Sequence, residues 1–218
     1  MNDSQKKTLL RKQKEQALRK KAILDSAREV FFEKGFRSAT MDDVAYGCDL
    51  AKGTIYLYFK SKEDLYISLV VEGLNLLRDD LNSIRDLPLG ADRLLGEILR
   101  VYFAFYQKNP QYFRLMFLSS QPDVRERVQE KLLRECLDCA VGCMQVLNDI
   151  IERGAQSGVF RKVNSWTFAI ILWTTINGII MQYEQDPFYR CEILKVTLGE
   201  MLEQGLDLAL KGLAAGRR

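Results

Sequence analysis

Residues 52–62 read KGTIYLYFKSK, and their side chains suit contact with a polyanion better than catalysis. Projected at 100° per residue, Ile55 and Phe59 share one side of a short helix. Gly53, Leu57 and Lys60 fall opposite, flanked by Thr54 and Tyr56. The first side is core. The second combines a backbone open to close approach, an apolar tip, hydroxyls and a cation. Lysine ammoniums and tyrosine hydroxyls reach phosphates, and an apolar tip meets a thymine methyl in a DNA major groove.

Other chemistry is thinly represented. The chain has no histidine, which removes the usual general base. No nucleophile elbow, glycine-rich phosphate loop or metal motif is present, so we expect no enzyme, no cofactor and no metal. Cys136, Cys139 and Cys143 share one helical face but lack a fourth ligand. They read as small core hydrophobes, with redox sensing as the alternative. Cys48 reads as a packing residue between two short helices. Five cysteines and an N-terminus, MNDSQKKTLLRKQKEQ, without an apolar leader segment suggest the reducing cytoplasm. The uncharged run Val163–Tyr183 is long enough to span a bilayer, but it carries Asn164, Ser165, Thr167, Thr174, Thr175, Asn177 and Gln182. A helix buried in a protein interface is the expectation.

Charge is unevenly spread. Residues 1–24 hold eight Lys/Arg against Asp3 and Glu15, and the excess persists to Lys62. The chain as a whole is only +3, so its remainder is mildly acidic. A basic first third on an acidic body suggests a polyanion partner on one side.

The elements that must position residues 52–62 are helical throughout. Hydrophobic content of 47%, four prolines and apolar spacings of three and four indicate an all-α protein. Residues 1–19 form a basic, flexible arm. A first helix runs from Lys20 to Lys34 and stops at Gly35. Thr40 caps a two-turn second helix through a capping box with Asp43. A third spans Lys52–Phe59, and Ser61 opens a long fourth helix through a second capping box with Asp64. Two short helices on a tight turn, propped by longer ones, make a helix-turn-helix over 20–66. Residues 67–87 continue helix four, and Pro88 and Gly90 open an α-helical body over 88–218. Its helices are expected at Ala91–Gln107, Pro110–Leu118, Pro122–Gln156, Ser165–Gln185 and Pro187–Gly212.

The stretch TMDDVAYGCDLAKGTIYLYFKSKEDL, Thr40–Leu65, with the preceding ILDSAREVFFEKGFRSAT, resembles the N-terminal domain of the TetR family of transcriptional regulators. The match covers roughly residues 20–70. That resemblance implies Thr40 and Arg37 on phosphates, Lys52, Gly53, Thr54, Tyr56 and Leu57 facing the groove, and Tyr58 and Lys62 clamping the backbone. Lys60 joins them from the projection above. Two positions depart from the family pattern: Asp49 replaces the usual turn glycine, and Ala51 replaces the usual serine cap. Asp tolerates a left-handed conformation, so the turn survives; the lost cap costs about 1 kcal/mol.

In the body, Tyr102, Tyr106, Phe117, Cys143, Met144, Trp173, Asn177 and Met181 come from segments expected to converge. They supply adaptable apolar surface with few charges, which suits a small, mainly apolar or aromatic effector. The resemblance further implies a homodimer through helices 165–185 and 187–212. The expected function is a ligand-responsive repressor binding a palindromic operator as a dimer. The alternative is an architectural or cell-division factor that keeps the DNA-binding head and docks a protein on its body.

Overall fold

The computed structural model describes residues 3–118, 122–185 and 195–215. It is all-α: α1 Asp3–Ser38, α2 Met41–Gly47, α3 Lys52–Tyr58, α4 Lys62–Arg85, α5 Ala91–Lys108, α6 Pro110–Leu118, α7 Pro122–Arg125, α8 Glu130–Gln156, α9 Ser165–Gln185 and α10 Leu198–Leu213. Two compact units emerge. One holds Met1–Leu74 with Asn109–Asp138; the other holds Asn75–Lys108 with Cys139–Arg218. Residues 109–138 therefore group with the head, whereas the sequence reading places them in the body.

In the first unit, α1 buries Ile23, Ala27 and Phe31, the apolar stripe expected from spacing. The helix begins earlier than expected. It runs from Asp3, and every side chain from Gln5 to Ala22 is exposed. No glycine or proline interrupts this segment, and Lys, Gln, Arg, Leu and Ala all favour helix. At the other end Gly35 takes φ 74° and ψ 155°, a conformation open to glycine, and the helical path kinks there. The α1–α2 crossing is close: a Cβ on Gly47 would lie 2.4 Å from Ser26 Oγ, which itself donates to Val44 O at 2.9 Å. The core of α4 in this unit is Leu65, Tyr66, Ile67, Leu69 and Val70, with Tyr66 donating its hydroxyl to Leu115 O of α6.

Two helices differ from the sequence reading. The single helix expected over Pro122–Gln156 is broken between Arg125 and Glu130. The break has a cause: Asp64 Oδ1 accepts from Gln129 N at 3.0 Å, so a carboxylate from α4 starts α8 afresh. The last helix does not extend across Lys195–Thr197. Lys195 takes φ 52°, and Thr197 caps α10 through a capping box with Glu200. The T-x-x-E signal for that start stands in the sequence. The expected start at Pro187 lies outside the described residues.

In the second unit, Leu94, Leu95, Ile98, Leu99 and Phe105 of α5 are buried, as are Val146, Leu147, Ile150 and Ile151 of α8 and Leu172 and Ile180 of α9. Among the described residues, no helix is long and apolar enough to cross a membrane. Exposed apolar side chains remain on α9 (Trp166, Ile170, Ile171 and Met181) and on α10 (Leu208, 69% exposed).

Candidate nucleic-acid interface

The α2–α3 segment is built by local bonds. Thr40 Oγ1 accepts from Asp43 N at 3.1 Å, and Thr40 N donates to Asp43 Oδ2 at 2.9 Å, completing the expected capping box. The Thr40 hydroxyl also donates to Asp43 Oδ2 at 2.7 Å, so its proton is engaged. Lys34 donates to the other oxygen of Asp43 at 2.6 Å. That bond first, and the Thr40 bonds next, hold the Asp43 pKa down at about 2.

The turn into α3 follows the expected route. Asp49 takes φ 52°, the left-handed region that a turn glycine would otherwise supply. Leu50 N donates to Ala45 O at 3.0 Å, closing the turn. At the start of α3, Ala51 offers no side-chain cap, as its methyl dictates. Thr54 N finds Ala51 O at 2.8 Å instead.

Ile55 and Phe59 are buried, so the core side of α3 is as projected. Leu57 is 77% exposed, and Tyr56 is 39% exposed. Lys52, Gly53 and Lys60 are also exposed, while Thr54 and Tyr58 are half-buried. A Cβ at Gly53 would meet nothing within 4 Å, so the backbone there faces open space. Lys52 pairs with Asp42 at 2.7 Å, both ends well exposed. Such a surface pair is worth about 0–1 kcal/mol, so a phosphate can displace the carboxylate. Lys60 donates to Tyr56 O at 3.2 Å, and Arg37 is exposed near the end of α1.

Lys62 stands elsewhere. Its ammonium donates to the carbonyls of Phe36 at 2.8 Å, Arg37 at 3.2 Å and Ala39 at 2.9 Å, and lies 4.6 Å from the centroid of the Phe36 ring. All three ammonium donors close the end of α1. A lysine expected to clamp a DNA backbone instead locks α1 to α4.

Tyr46 was missed in the sequence. It is 91% exposed on α2, opposite the buried Met41, Val44 and Ala45. The same projection applied to α3 would have found it. Tyr46, Tyr56, Leu57, Lys52 and Lys60 thus add aromatic rings, an apolar tip and cations to the outer sides of the two short helices.

The effector candidates lie in the second unit, apart from Phe117, whose side chain is outside the described residues. Tyr102 is buried, donates to Asn177 Oδ1 at 2.5 Å, and meets Trp173 edge-on at 5.0 Å between centroids. Tyr106 donates to Glu184 at 2.5 Å. Cys143 is fully buried, Met144 half-buried and Met181 exposed. Burial pushes the Cys143 thiol up to about 12, which keeps it protonated and inert near neutrality. Tyr102, Trp173 and Asn177 are thus brought together, but Tyr102 is spent on its bond to Asn177 and its edge contact with Trp173. The apolar cleft of this unit is lined instead by Leu95, Ile98, Leu99, Leu147, Ile176 and Leu206, with Thr175 and Gly205 among its other walls. It leaves about 20 Å³ of free space, room for about one water molecule.

Comparison with known proteins places this geometry. The family model for bacterial regulatory proteins of the tetR family matches residues 23–69. The fatty acid metabolism regulator protein of Bacillus subtilis is 26% identical over 189 residues, covering 84% of this chain and 93% of the relative. The HTH-type transcriptional repressor NicS of Pseudomonas putida is 26% identical over 198 residues, covering 88% and 90%. Among solved structures, the transcriptional regulator FadR from Bacillus subtilis in complex with stearoyl-CoA superposes with a TM-score of 0.71 at 23% identity. That alignment covers 88% of this chain and 98% of FadR.

Proposed function

Since the chain belongs to the TetR family of transcriptional regulators, we propose that it is a cytoplasmic homodimeric repressor, released from its operator by a mainly apolar effector. The observation that carries the DNA-binding half is the outer face of α2 and α3. There Tyr46 and Leu57 stand exposed while Ile55 and Phe59 hold the helix on its core. Leu57, Gly53, Thr54 and Tyr56 read bases or pack against them. Lys52, Lys60, Arg37 and Tyr58 take phosphates. Thr40 joins them only by exchanging its bond to Asp43, and Lys62 sets the α1 end from behind.

The dimer is assigned to α9 and α10, whose exposed Trp166, Ile170, Ile171 and Leu208 form apolar surface that a second copy would cover. Two recognition helices must lie about 34–36 Å apart to enter successive major grooves. An effector that binds one head spacing better than another shifts operator affinity by that difference in affinity.

The effector is assigned to the aliphatic cleft between α5, α8, α9 and α10 rather than to the bonded cluster of Tyr102, Trp173 and Asn177. Its lining carries almost no polar surface, which suits an alkyl chain or an aromatic ring. Drug-sized ligands need roughly 300–1,000 Å³, so the cleft must open to admit one. FadR from Bacillus subtilis is described with stearoyl-CoA, which makes long-chain acyl compounds the first to try.

A second reading keeps the head and makes the body a protein-docking surface. The near-filled cleft is the observation on its side. One experiment separates the two: select operator fragments from random DNA with the purified chain, then add acyl-CoAs and aromatic acids. The regulator reading expects an inverted repeat released by one of these classes. An inverted repeat that no small apolar compound releases would favour docking, and no enriched sequence would reject both.

A further inference from the structure

Residues Asp3–Ala22 extend α1 beyond the head by about 25 Å over the seventeen residues to Arg19, the length of about seven phosphates along one DNA strand. From Gln5 to Ala22 every side chain is exposed, so burial does not account for the segment's composition. Its eight cations face two acids, and Glu15 pairs with Arg11 at 3.7 Å with both ends exposed. Lys6, Lys7, Lys12 and Lys14 have no described carboxylate within ion-pair distance. Lys7, Arg11, Lys14 and Lys21 follow one helical face at i, i+4, i+7 and i+14.

The base of this arm adjoins the reading helix. Lys20 Nζ lies 5.8 Å from the centroid of Phe59, the residue that caps the C-terminal end of α3. A lipid surface is the poorer partner. Leu9, Leu10 and Leu18 are 45%, 57% and 59% exposed but are spread around the helix, with Leu9 and Leu18 on opposite sides. Cations stand around the helix with the scattered leucines between them, a charge distribution that matches a duplex backbone.

We propose that the helical arm is a second DNA-binding element, which takes backbone phosphates beyond those reached by the α2–α3 face. This rests on the regulator reading above. The arm carries no base-reading role; it adds affinity and length of footprint without adding sequence preference.

The test uses the full chain and a random-sequence duplex longer than the operator. Lys6, Lys7, Arg11, Lys12 and Lys14 are all changed to Gln, and a companion keeps the charges by exchanging Lys for Arg and Arg11 for Lys. Binding is followed by fluorescence anisotropy across a salt series. Each phosphate contact contributes about 0.9 to the slope of log K against log salt, so two contacts per arm flatten the Gln variant by about 2 per protomer. The charge-keeping companion should retain the parental slope, and the thermal midpoint of all three should agree. Equal slopes for the parent and the Gln variant would overturn the arm while leaving the head's role intact. Absence of binding by the parent would overturn both.

Discussion

Asp64 of α4 holds Gln129 at two points: its Oδ1 accepts from Gln129 N at 3.0 Å and its Oδ2 from Gln129 Nε2 at 2.6 Å. The same Oδ2 accepts from Lys60 N at 3.1 Å, and the side chain is almost wholly buried. One carboxylate therefore finishes the start of α8 and the loop that leaves α3. Ser61 caps α4 in the expected way, through Asp64 N at 3.0 Å, but Asp64 does not return that bond to Ser61. It turns to Lys60 and Gln129.

Asp64→Ala should therefore destabilise the chain by about 1–3 kcal/mol, because the Lys60 and Gln129 donors lose the buried carboxylate that gathers them. Gln129→Ala should cost less, since the backbone N–H remains. Urea unfolding of both variants and of the pair would show strong coupling. Additive effects would detach Gln129 from the carboxylate.

Lys62→Met should lower thermal stability and weaken binding to all DNA sequences alike, because the α1 end loses its three-carbonyl anchor. Its salt slope should match the parent's. A slope flattened by about 0.9 per site would instead return Lys62 to the phosphate backbone.

Asp43 gives the head a pH dependence. Its pKa is held at about 2 against the ordinary 3.8 by Lys34 and then by Thr40. The resulting stabilisation is fully present above about pH 4 and is lost as pH falls through about 2. Asp43 is half-buried and its partner Lys34 is exposed, so added salt should shrink the effect in part. Asp43→Asn should remove part of the acid-induced loss across that window in low-salt thermal melts. Parallel pH profiles for the two proteins would show that Asp43 carries no such role.

Leu206→Trp should occupy the aliphatic cleft, abolish any response to an apolar effector and leave operator affinity within about twofold, a difference of about 0.4 kcal/mol. Cys143→Trp behaves differently. Cys143 is fully buried and is not among the cleft-lining residues, so the larger ring should cost about 1–3 kcal/mol by overpacking. Thermal melts and effector-release assays on both variants separate the two sites. A Leu206→Trp protein that still responds would move the effector elsewhere.

The head was legible because its signals are local. Thr40 and Asp43 announce α2 by spacing, Asp49 supplies the left-handed turn, and Ile55 and Phe59 repeat at four residues. What stayed hidden depends on partners far apart in the chain. Nothing near Lys62 says that it will meet carbonyls 23 to 26 residues earlier, and nothing near Gln129 points to Asp64. In the body, composition brought Tyr102, Trp173 and Asn177 to notice. It could not tell that the hydroxyl and the amide would bond each other, leaving only a narrow cleft among leucines and isoleucines. Tyr46 and the α10 capping box were visible but were passed over.

The central claim is that the outer face of α2 and α3 enters DNA, and Leu57→Glu tests it most directly. Leu57 is 77% exposed, so the change should leave the thermal midpoint unmoved while placing a carboxylate against the duplex. Anisotropy titration against the selected operator at fixed salt should show affinity reduced at least about tenfold, the scale of one lost base contact. Unchanged affinity in a fully folded Leu57→Glu protein would contradict the assignment of this face.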